Sequence, residues 1–380
     1  INSYYKYNLR ENDCVVEFGF PDYEEIFLQM MFKVGLNCGN TKELVPIDHF
    51  GDGYISMFIM AVIQAIAETN TDDQCLFIFE EPESFLHENH QEYFYKMVLC
   101  NLAERGHQVI YSTHSDRMVD IWDTKSIIRI EYDEATKQTL IKFNETGEFN
   151  PLKEGDVSFT EKVTLEKYNS FIKSVEPNLN KILFSRKVVL VEGPNDLMAY
   201  KYAVQKKAFE IKLEKRFSEA YLSLNNISIL AHHGKTTAFY LIELCKWLKL
   251  DYFIIADWDF ENDFVEELSG FSTLDVLREN DLYKFSSQKQ DLTINWRLIK
   301  NAKDNQIHFN IRKLERVIGY ERDDKNSVGI WNILEEMETF SPLFFPVKLE
   351  TFFELNRLET FLTLSDESLA EYTTPLFYLP

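Results

Sequence analysis

The most constraining feature of this sequence is a pair of apolar runs that each end in acidic residues. The run K-V-V-L-V is followed by Glu192 and, four residues later, by Asp196, whereas the run Y-F-I-I-A is followed by Asp257 and Asp259. Short continuous apolar runs are typical of buried strands in a parallel sheet. The carboxyl ends of such strands meet at one edge of the sheet, where α/β folds bind ligands. The sequence therefore predicts four carboxylates gathered at one sheet edge.

Carboxylates gathered in this way repel one another unless cations neutralise them. In an extended chain residues i and i+2 point to the same side, so we expect Asp257 and Asp259 to face one ion together. Hard oxygen ligands favour Mg²⁺ or Mn²⁺. We therefore interpret Glu192, Asp196, Asp257 and Asp259 as metal ligands. Of these, we interpret Glu192, Asp257 and Asp259 as catalytic residues as well. The alternative interpretation is a pair of ordinary acidic turns.

A similar arrangement occurs earlier in the chain. The run C-L-F-I-F ends in Glu80 and Glu81, and a second apolar run, Q-V-I-Y-S, leads to His114. A nucleotide-hydrolysing site needs one carboxylate near Mg²⁺ and another that polarises the attacking water. A His at the end of the neighbouring strand is placed to contact a γ-phosphate. Solvated acids at a strand end and a structural His are the alternative.

Strands that alternate with helices predict an α/β fold built from βαβ crossovers. We expect a first α/β block over 1–145, with a third strand from Ser126 to Tyr132. A polar stretch then marks a boundary. The remaining predicted segments are a helical linker over 146–185, a compact βαβαβ unit over 186–271, and a C-terminal part of unassigned topology over 272–380.

Composition narrows the classes of function. With 40 basic and 62 acidic residues the net charge is −22, which argues against non-specific coating of nucleic acid but not against an enzyme whose acids hold cations. The five cysteines form no C-x-x-C pair, which favours a reduced, cytoplasmic compartment. The apolar runs are too short for a bilayer, so we expect no membrane partner.

The first block resembles a known class of ATPase. F-I-F-E-E-P-E-S-F-L-H followed by Y-S-T-H-S resembles the Walker B, D-loop and switch-histidine segments of ABC-type ATPases, closest to those of the overcoming-lysogenization-defect (OLD) family and its RecF and SMC relatives. The resemblance implies ATP with Mg²⁺ as cofactor. It places Glu80 beside the Mg²⁺, Glu81 at the catalytic acid and His114 at the switch histidine.

The resemblance also indicates what departs from the family pattern. H-F-G-D-G occupies the place of the signature loop, but Phe50 stands where the family has a Ser that contacts the γ-phosphate. Gly51 and Gly53 retain backbone N–H groups for nucleotide binding, and this substitution puts ATP hydrolysis in question. The run G-K-T-T at Gly234 is not a P-loop, because the first glycine position is occupied by Ile229. We expect the Walker A segment to precede Ile1.

The second block resembles the Toprim domain. V-E-G-x-x-D and A-D-x-D match the paired acidic motifs of topoisomerases, primases and OLD nucleases, and ATPase followed by Toprim is the order found in the OLD family. The resemblance implies an α/β chain in which the C-terminal part of an ABC-type ATPase sheet domain precedes a Rossmann-like, mainly parallel Toprim sheet. It also implies one or two Mg²⁺ or Mn²⁺ ions and hydrolysis or nicking of DNA. Lys235 fits a phosphate-binding position, with a plain strand-to-helix turn as the alternative.

The family also uses a further acid and a Lys downstream, which the sequence does not place. The acid has two candidate locations, one at Glu279 and Asp281 and the other at Glu359. For the lysine, Lys300 and Lys303 are candidates, with a solvated helical face as the alternative. Two weakly basic segments, Lys206 to Arg216 and Lys300 to Arg316, are candidates for contact with a nucleic-acid backbone, again with solvated helical faces as the alternative.

Taken together, the sequence predicts a metal-dependent DNA endonuclease gated by an ABC-like ATPase module. The resemblance implies a homodimer or larger homo-oligomer, a role in phage defence, and a possible accessory defence protein or RNA/DNA element as a partner. The first alternative is a nucleotide-gated DNA-binding clamp or repair ATPase whose Toprim domain does not cut. The second is a topoisomerase or primase, although no motif marks a nucleophilic Tyr.

Overall fold

The computed structural model forms two compact units, Ile1–Ile121 and Trp122–Pro380, and we describe each by itself. It describes residues 1–3, 14–19, 31–38, 41–42, 45–46, 50–69, 74–121, 127–133, 136–143, 174, 179–303, 305–322, 324 and 326–356. The division falls earlier than the boundary at 145 that the polar stretch predicts. Most of the expected linker over 146–185 lies outside the described residues.

The first unit begins with an antiparallel sheet. Strand β1 pairs antiparallel with β2, and β2 pairs in turn with the two short strands β3 and β4. Their bounds are Cys14–Gly19, Met31–Cys38, Thr41–Lys42 and Val45–Pro46.

The rest of the first unit contains a parallel strand pair and its helices. Strands β5 and β6 are parallel, with Glu80 in register with Ser112, as the apolar runs predict. Helix α1 and the continuous helical segment α2–π–α3 bury their apolar faces in one core with the inner faces of these strands. The bounds are Asp52–Thr69 (α1), Leu76–Glu80 (β5), Glu88–Phe94 (α2), Tyr95–Leu99 (π), Cys100–Glu104 (α3) and Gln108–Ser112 (β6).

The second unit opens with a hairpin that corrects one expectation. The predicted third strand of the first block is observed as β7 (Arg129–Asp133), but it pairs antiparallel with β8 (Gln138–Lys142) rather than joining the parallel pair. The buried Arg129 guanidinium donates to the carbonyl oxygens of Ser185 and Leu248, at 2.9 and 3.2 Å. These contacts fix the hairpin to the second unit, since a buried guanidinium needs its donors satisfied.

The centre of the second unit is a four-stranded parallel sheet in the order β10-β9-β11-β12. These strands are Lys187–Val191 (β9), Ile227–Ala231 (β10), Asp251–Asp257 (β11) and Ile307–Asn310 (β12). Nearly every side chain of β9 and β11 is buried, which explains why these two runs are continuously apolar. The Rossmann-like parallel sheet predicted for this unit is confirmed.

Helices cover the sheet on the return paths between the strands. A 3₁₀ helix, Leu179–Phe184, precedes β9. The helices are Pro194–Lys212 (α4), Lys215–Leu224 (α5), Lys235–Trp247 (α6), Val265–Gly270 (α7), Leu274–Glu279 (α8), Asp281–Lys284 (α9), Lys289–Asn301 (α10), Leu314–Val317 (α11), Ser327–Glu336 (α12) and Val347–Phe352 (α13). No helix in the described ranges is long and apolar enough to cross a membrane.

The turn from β9 into α4 shows how sequence positions the site. Gly193 has extended backbone and Pro194 occupies the first helical position, where its missing N–H costs no helical hydrogen bond. Asp196 therefore falls in the first turn of α4, where the helix dipole favours an acid. The turn thus places Asp196 beside the carboxyl end of β9.

Candidate active site

The carboxyl ends of three neighbouring strands bring the first group of site residues together. Glu192 follows β9 directly, Asp257 ends β11 and Asn310 ends β12. The backbone N–H of Asp257 donates to Glu192 Oε2 at 3.0 Å. The sequence prediction that these two acids lie at one edge of the sheet therefore agrees with the structure.

Hydrogen bonds hold the Asp257 carboxylate in place. Its Oδ1 accepts from the backbone N–H of Leu314 at 2.9 Å and from Asn310 Nδ2 at 3.5 Å. Asn310 is itself fully buried, and its Oδ1 accepts from the Tyr200 hydroxyl at 2.7 Å. The side chain of Asp257 is therefore oriented by β12 and the turn after it.

Asp196 lies in the same group and is almost completely buried, with 7% of its surface exposed. Its Oδ1 has no hydrogen-bond partner within the described part of the chain. Burial, with further contributions from the charges of Glu192 and Glu315, raises the pKa of Asp196 to about 7. Burial, with the charges of Asp196 and Glu192, raises the pKa of Asp257 to about 9. The group is thus short of positive charge.

Glu315 is a site residue that sequence reasoning missed. It lies in α11 with 6% of its surface exposed, and its charge acts on Asp196. The rule that found the other acids looks for carboxylates directly after an apolar strand. Strand β12 ends in Asn310, so the rule passed over an acid five residues later.

Asp259 departs from the extended geometry that we expected for D-x-D. Its φ is +63°, in the left-handed region, so it does not continue the line of β11. Its Oδ2 accepts from Lys235 Nζ at 2.5 Å, and Lys235 also donates to the buried Asn295 Oδ1 at 3.0 Å. The Asp259 carboxylate is therefore paired with Lys235 in this structure, and metal binding by Asp257 and Asp259 together stays a prediction.

The intervening Trp258 gives a physical reason for this turn. Its side chain is fully buried and makes edge contacts with Phe260, Phe264 and Phe309 at centroid distances of 5.5, 4.9 and 4.9 Å. Packing of this aromatic cluster fixes the chain as it leaves the sheet. Asp259 follows the buried Trp258, and 44% of its side chain is exposed.

The donor set fits a hard divalent cation, although no coordination shell is formed. Nowhere in the described ranges do three His, Cys, Asp or Glu side chains already stand around one point at coordinating positions. The buried Asp196 Oδ1 without a partner and the two carboxyl groups with raised pKa nevertheless indicate missing positive charge. Carboxylate oxygens are the ligands that Mg²⁺ and Mn²⁺ prefer. The residues present for such an ion are Glu192, Asp196, Asp257 and Glu315.

The other predicted residues of this half do not join the group. Lys303 lies 3.7 Å from Asp251 Oδ1, at the start of β11 and therefore at the opposite edge of the sheet from Asp257. Lys300 Nζ donates to the Ser269 carbonyl oxygen at 2.9 Å. Glu279 and Asp281 lie exposed on the short helices α8 and α9, so the structure brings Glu315 to the acids instead. The alternative candidate, Glu359, lies outside the described residues.

In the first unit the structure brings the predicted acid and histidine together. The backbone N–H of Glu81 donates to Ser112 Oγ at 3.2 Å across the β5–β6 edge. His114 Nε2 lies 3.1 Å from Glu81 Oε1, with 85% of the histidine side chain exposed. Glu80 precedes them at the exposed end of β5. This edge is accessible to a ligand, although the structure does not test the assigned roles.

Glu83 is a second residue that sequence reasoning missed. It is buried, and its Oε1 accepts from the Thr113 hydroxyl and, at 2.9 Å, from the backbone N–H of His114. Glu83 therefore holds the segment that carries His114. The sequence signal was the third acid of E-E-P-E, which is the only one of the three to be buried.

The glycines of the signature-like loop lie at the start of α1. A side chain at Gly53 would bring a Cβ to 3.0 Å from the Phe85 carbonyl oxygen, so this position tolerates little more than a glycine. Gly51 has open space around it. The ring of Phe50 packs partly into the core of the unit and lies 5.8 Å from the Tyr54 ring. Nucleotide binding by Gly51 and Gly53 stays a prediction.

Comparison with known protein families supports the division into two domains. Residues 3–119 match the model described as "AAA ATPase domain". Residues 183–259 match the model described as "Overcoming lysogenization defect protein-like, TOPRIM domain". The second match covers Glu192, Asp196 and both acids of D-W-D.

Two curated proteins are similar to this chain over most of its length. The chain is 26% identical over 260 residues to the Old nuclease of Escherichia phage P2, covering 64% of this chain and 39% of that protein. It is 24% identical over 249 residues to the OLD nuclease of Thermus scotoductus (strain ATCC 700910 / SA-01), covering 64% and 41%. The chain thus spans about two fifths of the length of these relatives.

One solved structure, from work on the ATP-driven dimerisation and DNA-stimulated activation of SMC ATPases, aligns at a TM-score of 0.28 with 10% identity. That alignment covers 46% of this chain and 89% of the SMC chain, and a similarity at this level supports no further inference. The domain pair and the curated relatives carry the assignment instead. The chain has an ATPase domain followed by an OLD-like Toprim domain, and it is similar to the two OLD nucleases over 64% of its length.

Proposed function

We propose that this chain is the nuclease part of a metal-dependent enzyme that hydrolyses or nicks phosphodiester bonds of DNA. The observation that carries the proposal is the group of acids at the carboxyl edge of the parallel sheet. Glu192, Asp196 and Asp257 lie together there, and the Asp196 carboxylate is buried with one oxygen lacking a hydrogen-bond partner among the described residues. The names of the curated relatives support the same function.

The chain's own residues prepare the site for cations. Asn310 and the Leu314 N–H orient Asp257, and the first turn of α4 fixes Asp196. Burial raises the pKa of both Asp196 and Asp257, so this interacting pair of carboxyl groups favours retention of a proton when no cation is present. A bound Mg²⁺ or Mn²⁺ would polarise the phosphoryl oxygen, supply hydroxide and stabilise the leaving oxygen. Glu192, Asp196, Asp257 and Glu315 would hold it.

We propose that the first unit regulates cutting through ATP with Mg²⁺. Glu80 would lie beside the Mg²⁺, Glu81 would polarise the attacking water, and His114 would contact the γ-phosphate. The exposed Glu81–His114 edge supports binding of a ligand or of a second subunit at this surface. A homodimer, a cytoplasmic location and a role in phage defence stay predictions from the family resemblance.

Plasmid cleavage tests the proposed function. Supercoiled plasmid is incubated with the chain in Mn²⁺ or Mg²⁺, and the Asp257→Ala variant is compared with Asp275→Ala, which removes an exposed acid on α8. We expect nicked or linear plasmid with the unmodified chain and with Asp275→Ala, and at least about a hundredfold slower cleavage with Asp257→Ala. Cleavage that persists in Asp257→Ala would refute the site.

A second candidate function is a metal-binding clamp that does not cut. The ion pair of Lys235 with Asp259 favours it, because a lysine occupies a carboxylate that the nuclease interpretation gives to a metal. This candidate predicts Mn²⁺ binding that Asp257→Ala abolishes, together with no cleavage by the unmodified chain under any nucleotide condition. Calorimetric titration of Mn²⁺ beside the plasmid assay separates the two functions.

A further inference from the structure

An open cavity lies directly beyond the acidic edge of the parallel sheet. Its volume is about 570 Å³, within the range of sites that bind small ligands. Two arginines, one glutamate, three aliphatic side chains and one buried tyrosine contribute to its lining, together with Gly319: Arg312, Arg316, Glu321, Ile311, Val317, Leu343 and Tyr320. Both arginines belong to the basic segment Lys300 to Arg316, for which the acidic site gives no role.

The cavity and the acidic group share one segment of chain. The carbonyl oxygen of Arg312 accepts from the Asp259 N–H at 2.8 Å, and the Leu314 N–H donates to Asp257 Oδ1. Glu315 of the same segment acts on Asp196, whereas its neighbour Arg316 lines the cavity. Residues 312–316 therefore contribute both to the acidic group and to the cavity, so one bound molecule can contact both.

The lining chemistry fits one nucleotide of a strand. Arginine presents planar donors that match phosphate oxygens, and the side chain of Arg312 is about half exposed while it pairs with Glu261. Arg316 also lines the cavity, and its guanidinium donates to the Glu321 carbonyl oxygen at 2.6 Å. Ile311, Val317 and the exposed Leu343 supply an apolar surface of the kind on which a base packs.

One wall of the cavity is held rigidly. Tyr320 is buried, and its hydroxyl donates to Asp324. Its ring lies so close to α12 that a Cβ at Gly329 would stand 2.7 Å from Tyr320 Cε2. A side chain at position 329 would therefore displace the ring. The site is built by packing and does not depend on the surface side chains alone.

The charge distribution of the chain explains why arginines are needed beside the acidic group. The chain has a net charge of −22, part of which is concentrated in the carboxylates of the sheet edge, so this surface repels a polyanionic strand. Cations at the acids would neutralise one phosphate, and the neighbouring phosphates need fixed positive charge. Arg312 and Arg316 lie one turn of backbone away from the acids and provide it.

We propose that this cavity binds the nucleotide next to the scissile phosphate, with Arg312 and Arg316 on its phosphates and the aliphatic wall against its base. The statement that the neighbouring phosphate is cut rests on the proposed nuclease function. Binding of a strand in the cavity does not rest on it. The ligand class is a single strand of nucleic acid, or a duplex end that has opened into one.

Binding without cleavage tests the proposal. Anisotropy of a fluorescein-labelled single-stranded DNA oligonucleotide is measured with Ca²⁺, with the unmodified chain, Arg312→Gln/Arg316→Gln and the matched exposed control Arg278→Gln. We expect the double variant to bind at least about tenfold more weakly, and the slope of its salt dependence to become shallower by about 0.7 for each phosphate that is no longer neutralised. Arg278→Gln should bind within about twofold of the unmodified chain.

Two further comparisons identify the cause of any weaker binding. Glu261→Gln breaks the Arg312 ion pair but keeps the guanidinium, so it should bind as tightly as the unmodified chain or more tightly. Unlabelled dAMP should compete far more weakly than an unlabelled oligonucleotide, because it meets one phosphate site instead of several. Equal competition by dAMP would mean a mononucleotide site and would overturn the strand assignment. Melting curves of all variants confirm folding.

The plasmid assay separates this inference from the proposed function. Arginine-dependent binding by a chain that never cuts would leave the cavity standing and refute the nuclease. Cutting and binding by the double variant at the unmodified level would refute the cavity and leave the nuclease standing. A chain that binds no oligonucleotide would also refute the cavity.

Discussion

The acids that follow β5 and those that follow β9 and β11 come from the same sequence pattern, yet the fold treats them differently. Glu80 and Glu81 end a strand at an exposed edge, and the histidine paired with Glu81 is 85% exposed. Asp196 is buried and Asp257 is half-buried, and the pKa of each is raised by burial and by neighbouring carboxylates. An apolar run that ends in an acid predicts the position of a site but not its dielectric surroundings.

This difference has an energetic consequence. Water screens the exposed acids, so the first unit can hold them at little cost without a ligand. The buried acids of the second unit are costly until a proton or a cation neutralises them. The second unit should therefore respond strongly to pH and to divalent cations, and the exposed edge of the first should not.

The largest expected effect is the pH dependence of stability without metal. In the unfolded chain the carboxyl groups titrate near 4, whereas the folded pKa values are about 7 for Asp196 and about 9 for Asp257. The folded state thus binds more protons at these two groups across this window, so their contribution to stability is fully present near pH 4 and is lost as pH rises towards 9. We expect roughly 1 kcal/mol or more to be lost per pH unit, measured by urea unfolding in EDTA.

Asp257→Asn sharpens this experiment, because the neutral amide does not titrate. Its stability in EDTA should vary less with pH and should exceed that of the unmodified chain at pH 8. Glu81→Gln, at the exposed edge of the first unit, should follow the unmodified chain. The same slope in all three proteins would mean that burial does not distinguish the two acidic groups.

The next effect is stabilisation by Mn²⁺. A ligand present at a hundredfold excess over its Kd stabilises the folded state by about 2.7 kcal/mol. We expect a shift of this order in the second-unit transition of the unmodified chain at pH 8, and its loss in Glu315→Gln if Glu315 holds the ion. Differential scanning calorimetry measures the shift, and Glu338→Gln, at a position on no strand end, is the control. A full shift in Glu315→Gln would remove that residue from the site.

A third effect lies in the first unit, where one acid is buried. Glu83→Ala would leave the Thr113 hydroxyl and the His114 N–H without their acceptor, at a cost of about 1–3 kcal/mol. Glu81→Ala removes an exposed carboxylate and should cost less than about 0.5 kcal/mol. Hydrogen exchange of the His114 amide should accelerate only in Glu83→Ala. Equal costs would mean that Glu83 does not hold the segment.

The sequence predicted the strands of both sites because a buried parallel strand must be apolar along its whole length. Glu192 and Asp257 could be placed at one edge since the carboxyl ends of adjacent parallel strands coincide. Glu315 could not, because it is positioned by a turn after β12 and not by a strand end. The pairing of β7 was also out of reach, since an apolar run does not specify which neighbour completes its ladder.

Asp259 marks the limit of pattern reasoning most clearly. Alternation along an extended chain predicts its direction only while the chain stays extended, and the left-handed φ at Asp259 ends that condition. Nor does the sequence spacing between Lys235 and Asp259 reveal that α6 begins opposite this turn. The contact depends on the packing of Trp258 and Asn295, which only the folded chain defines.

The smallest expected effect comes from replacing Lys235. It tests whether Asp259 binds a metal ion together with the buried acids or stays apart from them. Lys235→Met removes the cation that competes for the Asp259 carboxylate, and since that carboxylate is 44% exposed the pair is worth no more than about 1 kcal/mol. Mn²⁺ should then bind up to about fivefold more tightly in calorimetric titration at pH 7. Lys246→Met, on the same helix and paired with Glu243, should leave Mn²⁺ binding unchanged. Unchanged or weaker binding in Lys235→Met would place Asp259 outside the metal site, because the lysine would then be its permanent partner.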